Sequence, residues 1–434
     1  MPIQQSVGWV ALAVGLFGLL TSTVFLGLVA AGVVRFCAGR RQQESALRSL
    51  NQPLLPVSMF KPLHGSEPGL EENLRGFYRQ AGDEAGTAAS GPVAPESSSP
   101  QPSTPQSSTP QPATPQLSPP RFEMMFCARR IDDPGLQIAA SVASEFPRIP
   151  TKIVTSGEPW AANAKVCSMA KMAEAAGHDV WVISDSDVRV GHGYLSAVAA
   201  PFLDPKVGAV TCLYRGVAEE GGIWARLEAV GMSIEMSSGV VVANLLEGMR
   251  FVLGPTMAVR RECVDAMGGF DSMGQYCSDD FILGDRVAAQ GRTVVLSGYA
   301  IDHIVLNVSF VNSVKHQVRW MKSTRMSRPK GHFGTALTFG TPFGLLALFG
   351  ALLLGRPWLG VALLAFSVAG RMLQAWMIGR FVVRERQLWR TMLLFPVRDL
   401  MGFFFWAMSY GSRRIVWRGE LFELGVDGVM RPVR

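Results

Sequence analysis

Residues 179–190 read DVWVISDSDVRV. Val180 to Ile183 is a short continuous apolar run, the pattern of a strand buried on both faces. It ends on Asp185 and Asp187. The two alternate faces if the strand continues, and they converge only if the chain turns at Ser186. Asp at a strand end is common in turns, where its side chain bonds the following backbone. A turn that aims two carboxylates at one point also holds a hard cation, with phosphate oxygens completing the shell.

Strand-like runs lie on either side of this stretch: PVSMFKP, FEMMFCA, TKIVTS, GAVTCLY and TVVLS. PGLQIAASVASEF and NAKVCSMAKMAEAAG have helical periodicity. Strands alternating with helices predict a mostly parallel, doubly wound α/β sheet. Ligands of such sheets bind beyond the carboxyl ends of the strands, where DSD falls.

The chain has 434 residues, 48% apolar but only 17% charged, against about 25% charged in ordinary soluble proteins. Long uncharged segments cause that deficit. Val7 to Val34 is 28 residues without a charge, more than the ~20 that cross a bilayer. A cleaved signal peptide would begin with basic residues and carry a shorter apolar core. Here MPIQQS has none, and RFCAGRR follows the run. An uncleaved anchor over 7–34 is expected, its far end in the cytoplasm.

Three more apolar segments are 331–355, 357–379 (interrupted by Arg371) and 391–412 (interrupted by Arg398 and Asp399). The first is expected to span. Basic loops at 315–330 and 380–390 both favour the cytoplasm, making the first two segments a hairpin. RRIVWRGE, after the third, favours the cytoplasm too, which would leave 391–412 re-entrant or interfacial. The charged interruptions should face protein or a polar cavity. The expected organisation is thus an anchor at 7–34, a cytoplasmic α/β domain at 54–330, a membrane region of two or three apolar helices at 331–412, and a tail at 413–434.

Net charge is +7, and the excess sits beside the apolar segments, suiting an anionic membrane surface rather than nucleic acid. Six cysteines without a CxxC read as free thiols in a reducing compartment. Residues 83–120 repeat Pro-Gln at a five-residue period. Such a tract buries too little apolar surface to offset its chain entropy, so a disordered insertion within the domain is expected.

Two further acidic pairs are Asp132–Asp133 in IDDPGL and Asp279–Asp280 in CSDDF. By themselves they suit turns or helix caps. Arg319 and Trp320 in HQVRW suit an interfacial helix. Walker, HExxH, GxSxG and GxGxxG motifs do not occur in the soluble region.

Taken in order, FKPLHGSEPGLEENL (60–74), IDDPGL (131–136), NAKV (163–166), SDSDVRV (184–190), CSDDF (277–281) and HQVRW (316–320) resemble the ceramide glucosyltransferase-like family of membrane-bound inverting glycosyltransferases. The resemblance implies a GT-A domain, a UDP-sugar donor, a membrane-lipid acceptor and a divalent cation, Mg²⁺ or Mn²⁺. It implies Asp280 as catalytic base and Asp185 with Asp187 as metal ligands. Lys61, Asp133, Lys165, Asp185, Arg319 and Trp320 are implied at the nucleotide-sugar. His316 departs from the family's Gln or Arg at the head of the last motif, with Gln317 one residue late.

The chemistry fits these residues without the resemblance. Breaking a sugar–diphosphate bond develops charge on the leaving phosphate, which a cation and an Arg stabilise. The attacking hydroxyl must lose a proton on the opposite face, which calls for one carboxylate there. The motifs are shared by sphingolipid and hopanoid enzymes, so ceramide, a hopanoid alcohol and diacylglycerol stay open as acceptors. Glucose and N-acetylglucosamine stay open as donor sugars. A processive polysaccharide synthase would need a larger helical bundle, and a transporter would show repeated broken helices. A non-enzymatic membrane scaffold would release no UDP.

Overall fold

A computed structural model describes residues 3–50, 52–81, 121–307, 309–417 and 419–433. One eight-stranded sheet organises it: β1 Val57–Pro62, β2 Phe122–Ala128, β3 Thr151–Thr155, β4 Val180–Ile183, β5 Val188–Arg189, β6 Val207–Val217, β7 Met257–Arg260 and β8 Thr293–Ile304. The strand order is β3-β2-β1-β4-β7-β6-β8-β5. β1 pairs in parallel with β2 and β4, β2 with β3, and β6 with β8. β7 runs antiparallel to both neighbours, and β5 antiparallel to β8.

All six runs read from the sequence as strands are strands. The additions are β7 and β5, four and two residues long, too short to carry a period of their own. After β1 the chain builds outward to β3, then returns across β1 to place β4 on its other side. The strand order therefore reverses between β1 and β4, opening a crevice at their carboxyl ends.

Among the described residues, four helices are long and apolar enough to cross a membrane: Ile3–Arg48, Gly222–Leu246, Pro357–Val382 and Leu388–Met408. The second was not expected, because Arg226, Glu228 and Glu235 interrupt its apolar run. Segment 331–355, expected to span, instead splits into helices Pro329–Thr335 and Thr341–Leu353. The latter has 13 residues, about 20 Å of helix, against a ~30 Å hydrocarbon core. Pro342 cannot continue a helix from the preceding turn. The freed backbone groups find side chains: Arg371 Nη1 donates to the Thr338 carbonyl at 2.9 Å. Asp399 Oδ2 accepts from the Gly340 and Thr341 amides at 2.9 and 2.7 Å. Arg398 pairs with Glu235 at 2.9 Å. All three charged interruptions thus face protein.

Residues 413–434, expected as a tail, form a three-stranded antiparallel sheet over the described positions: β9 Arg414–Trp417, β10 Glu420–Leu424 and β11 Met430–Pro432. It docks on the catalytic domain. The Cys277 amide donates to the Gly428 carbonyl at 3.2 Å, and the Met430 amide to the Gln275 carbonyl at 2.8 Å. Cys277 also packs in one apolar cluster with Ile415, Phe422, Leu424 and Met430. Helix Leu388–Met408 is therefore tied to the catalytic domain beyond its end. It is tied before its start as well, where Arg215 of β6 donates to the Val383 carbonyl at 3.1 Å and Arg386 pairs with Asp302 of β8 at 3.2 Å.

The insertion at 83–120 lies outside the described residues. Its flanks are helix Leu70–Tyr78 and β2, the connection expected from the sequence. Loop-closure cost changes by only ~0.6 kcal/mol per doubling of length. Deleting residues 84–118 should therefore leave turnover and membrane insertion unchanged, as compared in membranes of an expressing host. Lost turnover in a folded deletant would give the tract a role.

Candidate active site

β4 ends at Ile183, the chain turns through Ser186 and Asp187, and β5 begins at Val188. The chain does turn at Ser186, and Asp185 and Asp187 line one cavity of about 220 Å³. Pro62, His64 and Glu67, following β1, form its other wall, with Lys165 between. The cavity occupies the crevice where the strand order reverses.

Each carboxylate has a separate anchor. Lys165 Nζ lies 2.7 Å from Asp185 Oδ1 and 3.6 Å from Asp279 Oδ2. Asp187 Oδ2 meets His303 Nε2, from β8, at 2.9 Å. Burial raises the Asp185 carboxyl pKa, with Asp187 adding to the rise and Lys165 opposing it. Burial alone would raise Asp187 too, but His303 and Lys61 outweigh it and hold it below the usual range. His303 was not among the residues singled out from sequence. It stands two residues into no motif, and only the β5–β8 pairing brings it to Asp187.

Asp280 sits in the first turn of helix Asp279–Ala289. Its Oδ2 accepts the Gly254 amide at 3.0 Å. A Cβ on Gly254 would stand 3.4 Å from that oxygen and 3.8 Å from Asp185 Oδ2. Both carboxylates thus come within reach of one point beside Gly254, where a Cβ would make ordinary van der Waals contact with each. Burial pushes the Asp280 carboxyl up to about 6, with the Asp279 charge contributing. Asp279 does not cap the helix. It is buried and accepts from Asn163 Nδ2 at 3.3 Å.

Asn163 links the pieces. Its side-chain oxygen accepts the Lys165 and Val166 amides, capping helix Ala164–Ala175. Its amide nitrogen donates to the Tyr276 carbonyl at 3.0 Å. NAKV thus fixes Lys165 and the CSDDF segment together.

Four residues expected at the nucleotide-sugar, Lys61, Asp133, Arg319 and Trp320, do not line this cavity. Lys61 is fully buried beneath it, donating to the Asp185 carbonyl at 2.6 Å with its ammonium 3.7 Å from the Phe77 ring. Burial lowers its pKa to about 7. Arg319 lies over the Trp417 ring at 5.1 Å, on the C-terminal sheet. Trp320 packs beside His316, rings 4.3 Å apart, and His316 Nδ1 meets Glu228 at 2.7 Å. Asp133 caps helix Pro134–Glu145 and accepts the Gly65 amide at 3.0 Å, fastening the loop that carries Glu67.

A divalent cation fits this donor set. Asp185, Asp187 and Glu67 bring more negative charge to the cavity than Lys165 neutralises, and Asp187 Oδ1 and Glu67 Oε2 are buried without hydrogen-bond partners. Among the described residues no three His, Cys, Asp or Glu side chains form a complete metal cage. Phosphate oxygens and water would supply the remaining ligands.

The model of glycosyl transferase family 21 matches residues 114–430. Ceramide glucosyltransferase 1 of Caenorhabditis elegans is 22% identical over 389 residues, 87% of this chain and 74% of that protein. Ceramide glucosyltransferase 3 of the same organism is 21% identical over 319 residues, 72% of this chain and 68% of that protein. Among solved structures, a mannosyltransferase from Pyrobaculum calidifontis in complex with GDP-Man and Mn²⁺ aligns with 90% of this chain and 99% of its own, at 14% identity and a TM-score of 0.44.

Proposed function

The chain belongs to glycosyl transferase family 21, and from that premise we propose that it moves a hexose from a UDP-sugar to the hydroxyl of a membrane lipid, inverting the anomeric centre. It is a glycosyltransferase built on a GT-A α/β domain. The observation that carries the finer reading is the placement of Asp280 across Gly254 from Asp185, with its carboxyl raised to about 6. A carboxylate of raised pKa is a stronger base than an ordinary one and is still mostly ionised at neutral pH.

In the proposed reaction Asp280 takes the proton from the acceptor hydroxyl as its oxygen bonds to the anomeric carbon. The bond from that carbon to the diphosphate oxygen breaks on the opposite face, and its electron pair leaves with UDP. Lys165 stands beside the leaving diphosphate, held charged by Asp185 and Asp279 against the effect of burial. Asp185 and Asp187 would hold a divalent cation, which when bound neutralises phosphate charge. Lys61 positions the Asp185 backbone from below rather than touching the donor.

Helix Leu388–Met408 is attached to the catalytic domain at both ends, which favours an interfacial or re-entrant course over a span. Gly222–Leu246 lies between β6 and β7 of the same sheet, and the same reasoning applies. With the anchor oriented by RFCAGRR, the catalytic domain faces the cytoplasm, on a bacterial inner membrane or the cytoplasmic face of an equivalent one. The acceptor hydroxyl would then arrive from the bilayer surface.

Purified protein supplied with UDP-glucose or UDP-N-acetylglucosamine and ceramide, hopanoid or diacylglycerol vesicles tests this. The expected result is a glycolipid whose anomeric configuration by NMR is opposite to that of the donor. Retention of configuration, or UDP release independent of lipid, would overturn it.

The C-terminal sheet has a predictable role in this reaction. It grips Gln275 and Cys277, just before Asp280, while Asp185 and Asp187 hang from β4 and do not depend on it. Misplacing a catalytic group by ~1 Å costs about 10²-fold. Truncation after Ser412 should lower kcat by about that factor, with UDP affinity retained by calorimetry. Unchanged kcat would show that Asp280 is held without the sheet.

A further inference from the structure

A second and larger cavity, of about 420 Å³, opens where the first helix meets the sheet. Arg35, Phe36, Arg40 and Gln42 of that helix line it, with Asn244 and Leu296 opposite. Leu296 lies seven residues before His303 on β8, roughly 20 Å along the strand from Asp187. The site is thus separate from the catalytic cavity.

Its level relative to a bilayer is set by two apolar segments. The uncharged run of the first helix stops at Val34, one residue before Arg35, and helix Ser237–Leu246 ends two residues after Asn244. The cavity begins where both stop, at the depth of lipid headgroups. Its lining is divided accordingly, with Phe36 and Leu296 apolar and two guanidiniums beside them.

Those guanidiniums retain capacity. Arg35 Nη1 donates to the Leu245 carbonyl at 3.2 Å, and among the described residues Arg35 has no acidic partner. Arg40 Nη1 donates to the Phe381 carbonyl at 2.9 Å, and its Nε is 3.9 Å from Glu44. Each guanidinium has five N–H donors, so most are unused. Gly39 leaves the mouth open, since a Cβ there would meet nothing within 4 Å. A phosphodiester accepts from both guanidiniums, and the two positive charges favour one that carries no cation of its own over a zwitterionic headgroup, whose ammonium they would repel.

We propose that this cavity binds the phosphodiester headgroup of an anionic membrane glycerolipid. The acyl chains would leave along the first helix, with Phe36 and Leu296 against the glycerol. The reading does not depend on which lipid the enzyme glycosylates, and its test uses no turnover.

Native mass spectrometry of the full chain, released from nanodiscs of equal phosphatidylglycerol and phosphatidylcholine, counts retained lipids. Phosphatidylglycerol should stay bound to the wild-type chain. Retention should fall about fivefold in Arg35→Gln and about thirtyfold in Arg35→Gln/Arg40→Gln, following the usual worth of one basic residue near an anionic surface. Arg48→Gln, on the same helix but outside the cavity, should retain it fully. Because Arg40 also holds the Phe381 carbonyl, Arg35→Gln alone reads the site if the double variant misfolds. Equal retention of phosphatidylcholine, or unchanged retention in Arg35→Gln, overturns the proposal. Displacement by soluble glycerol phosphate as readily as by lipid would move the assignment to a free phosphate ester and overturn the lipid as ligand.

Discussion

Asp280→Asn is expected to lower kcat by about 10²–10⁴, the usual worth of a general base, with UDP affinity little changed. The substitution keeps size and can still accept the Gly254 amide through its oxygen, so only the basic carboxylate is lost. The pH profile gives an independent reading. Burial and the Asp279 charge raise the Asp280 carboxyl to about 6, so its basic form disappears as pH falls through that value. The acid limb of kcat/KM should therefore lie near pH 6, well above the ~3.9 of an ordinary Asp. Asp279→Asn removes one of the charges that raise it. That variant should turn over at pH 8, with its acid limb moved to lower pH. A dead Asp279→Asn beside an active Asp280→Asn would shift the base by one residue. Full activity in both would remove this pair from the chemistry.

Removing Mg²⁺ and Mn²⁺ with chelator is expected to abolish transfer, and Asp185→Asn to lower kcat by about 10²–10³. The reason is charge. Asp185, Asp187 and Glu67 face one small cavity in which Lys165 is the only lysine or arginine lining it, and bringing a diphosphate among them adds repulsion. Asp185→Asn also frees Lys165 to close on Asp279, already 3.6 Å away. A Mn²⁺ titration separates the two effects. Loss of a metal ligand moves the midpoint to higher Mn²⁺, whereas a displaced Lys165 lowers the plateau alone. Full activity in chelator would reduce Asp185 and Asp187 to a turn.

Much of this was legible in the residues. The six β-branched and aromatic runs are strands because they are short, apolar and bounded by turn residues, which is local information. DSD made the convergence of its carboxylates conditional on a turn at Ser186, which the folded chain makes. The membrane segments were legible where composition is uniform, as at Val7–Val34. They were not where a partner decides the outcome. Segment 331–355 carries no Asp, Glu, Lys or Arg, yet its helix breaks ahead of Pro342, and Arg371 and Asp399, distant in sequence, take up the backbone groups that the break frees.

The site divides in the same way. Asp185, Asp187, Asp280 and Lys165 stand in motifs, and the fold brings them to one crevice. Lys61, Asp133, Arg319 and Trp320 stand in motifs as well, but none lines the cavity: Lys61 is buried on β1, Asp133 caps a helix, Arg319 lies over Trp417 of the C-terminal sheet and Trp320 packs beside His316. His303 and Gly254 stand in no motif, since one is a strand residue and the other a backbone amide. By itself the sequence determined the α/β class, the long apolar first helix and the carboxylates, because hydrophobic period and charge are properties of neighbours along the chain. Which carboxylate faces which cation, and what becomes of the last twenty residues, only the tertiary structure decided. Those contacts join Asp187, in the turn after β4, to His303 of β8 and Cys277 to Gly428, and no local pattern encodes a pairing across more than a hundred residues.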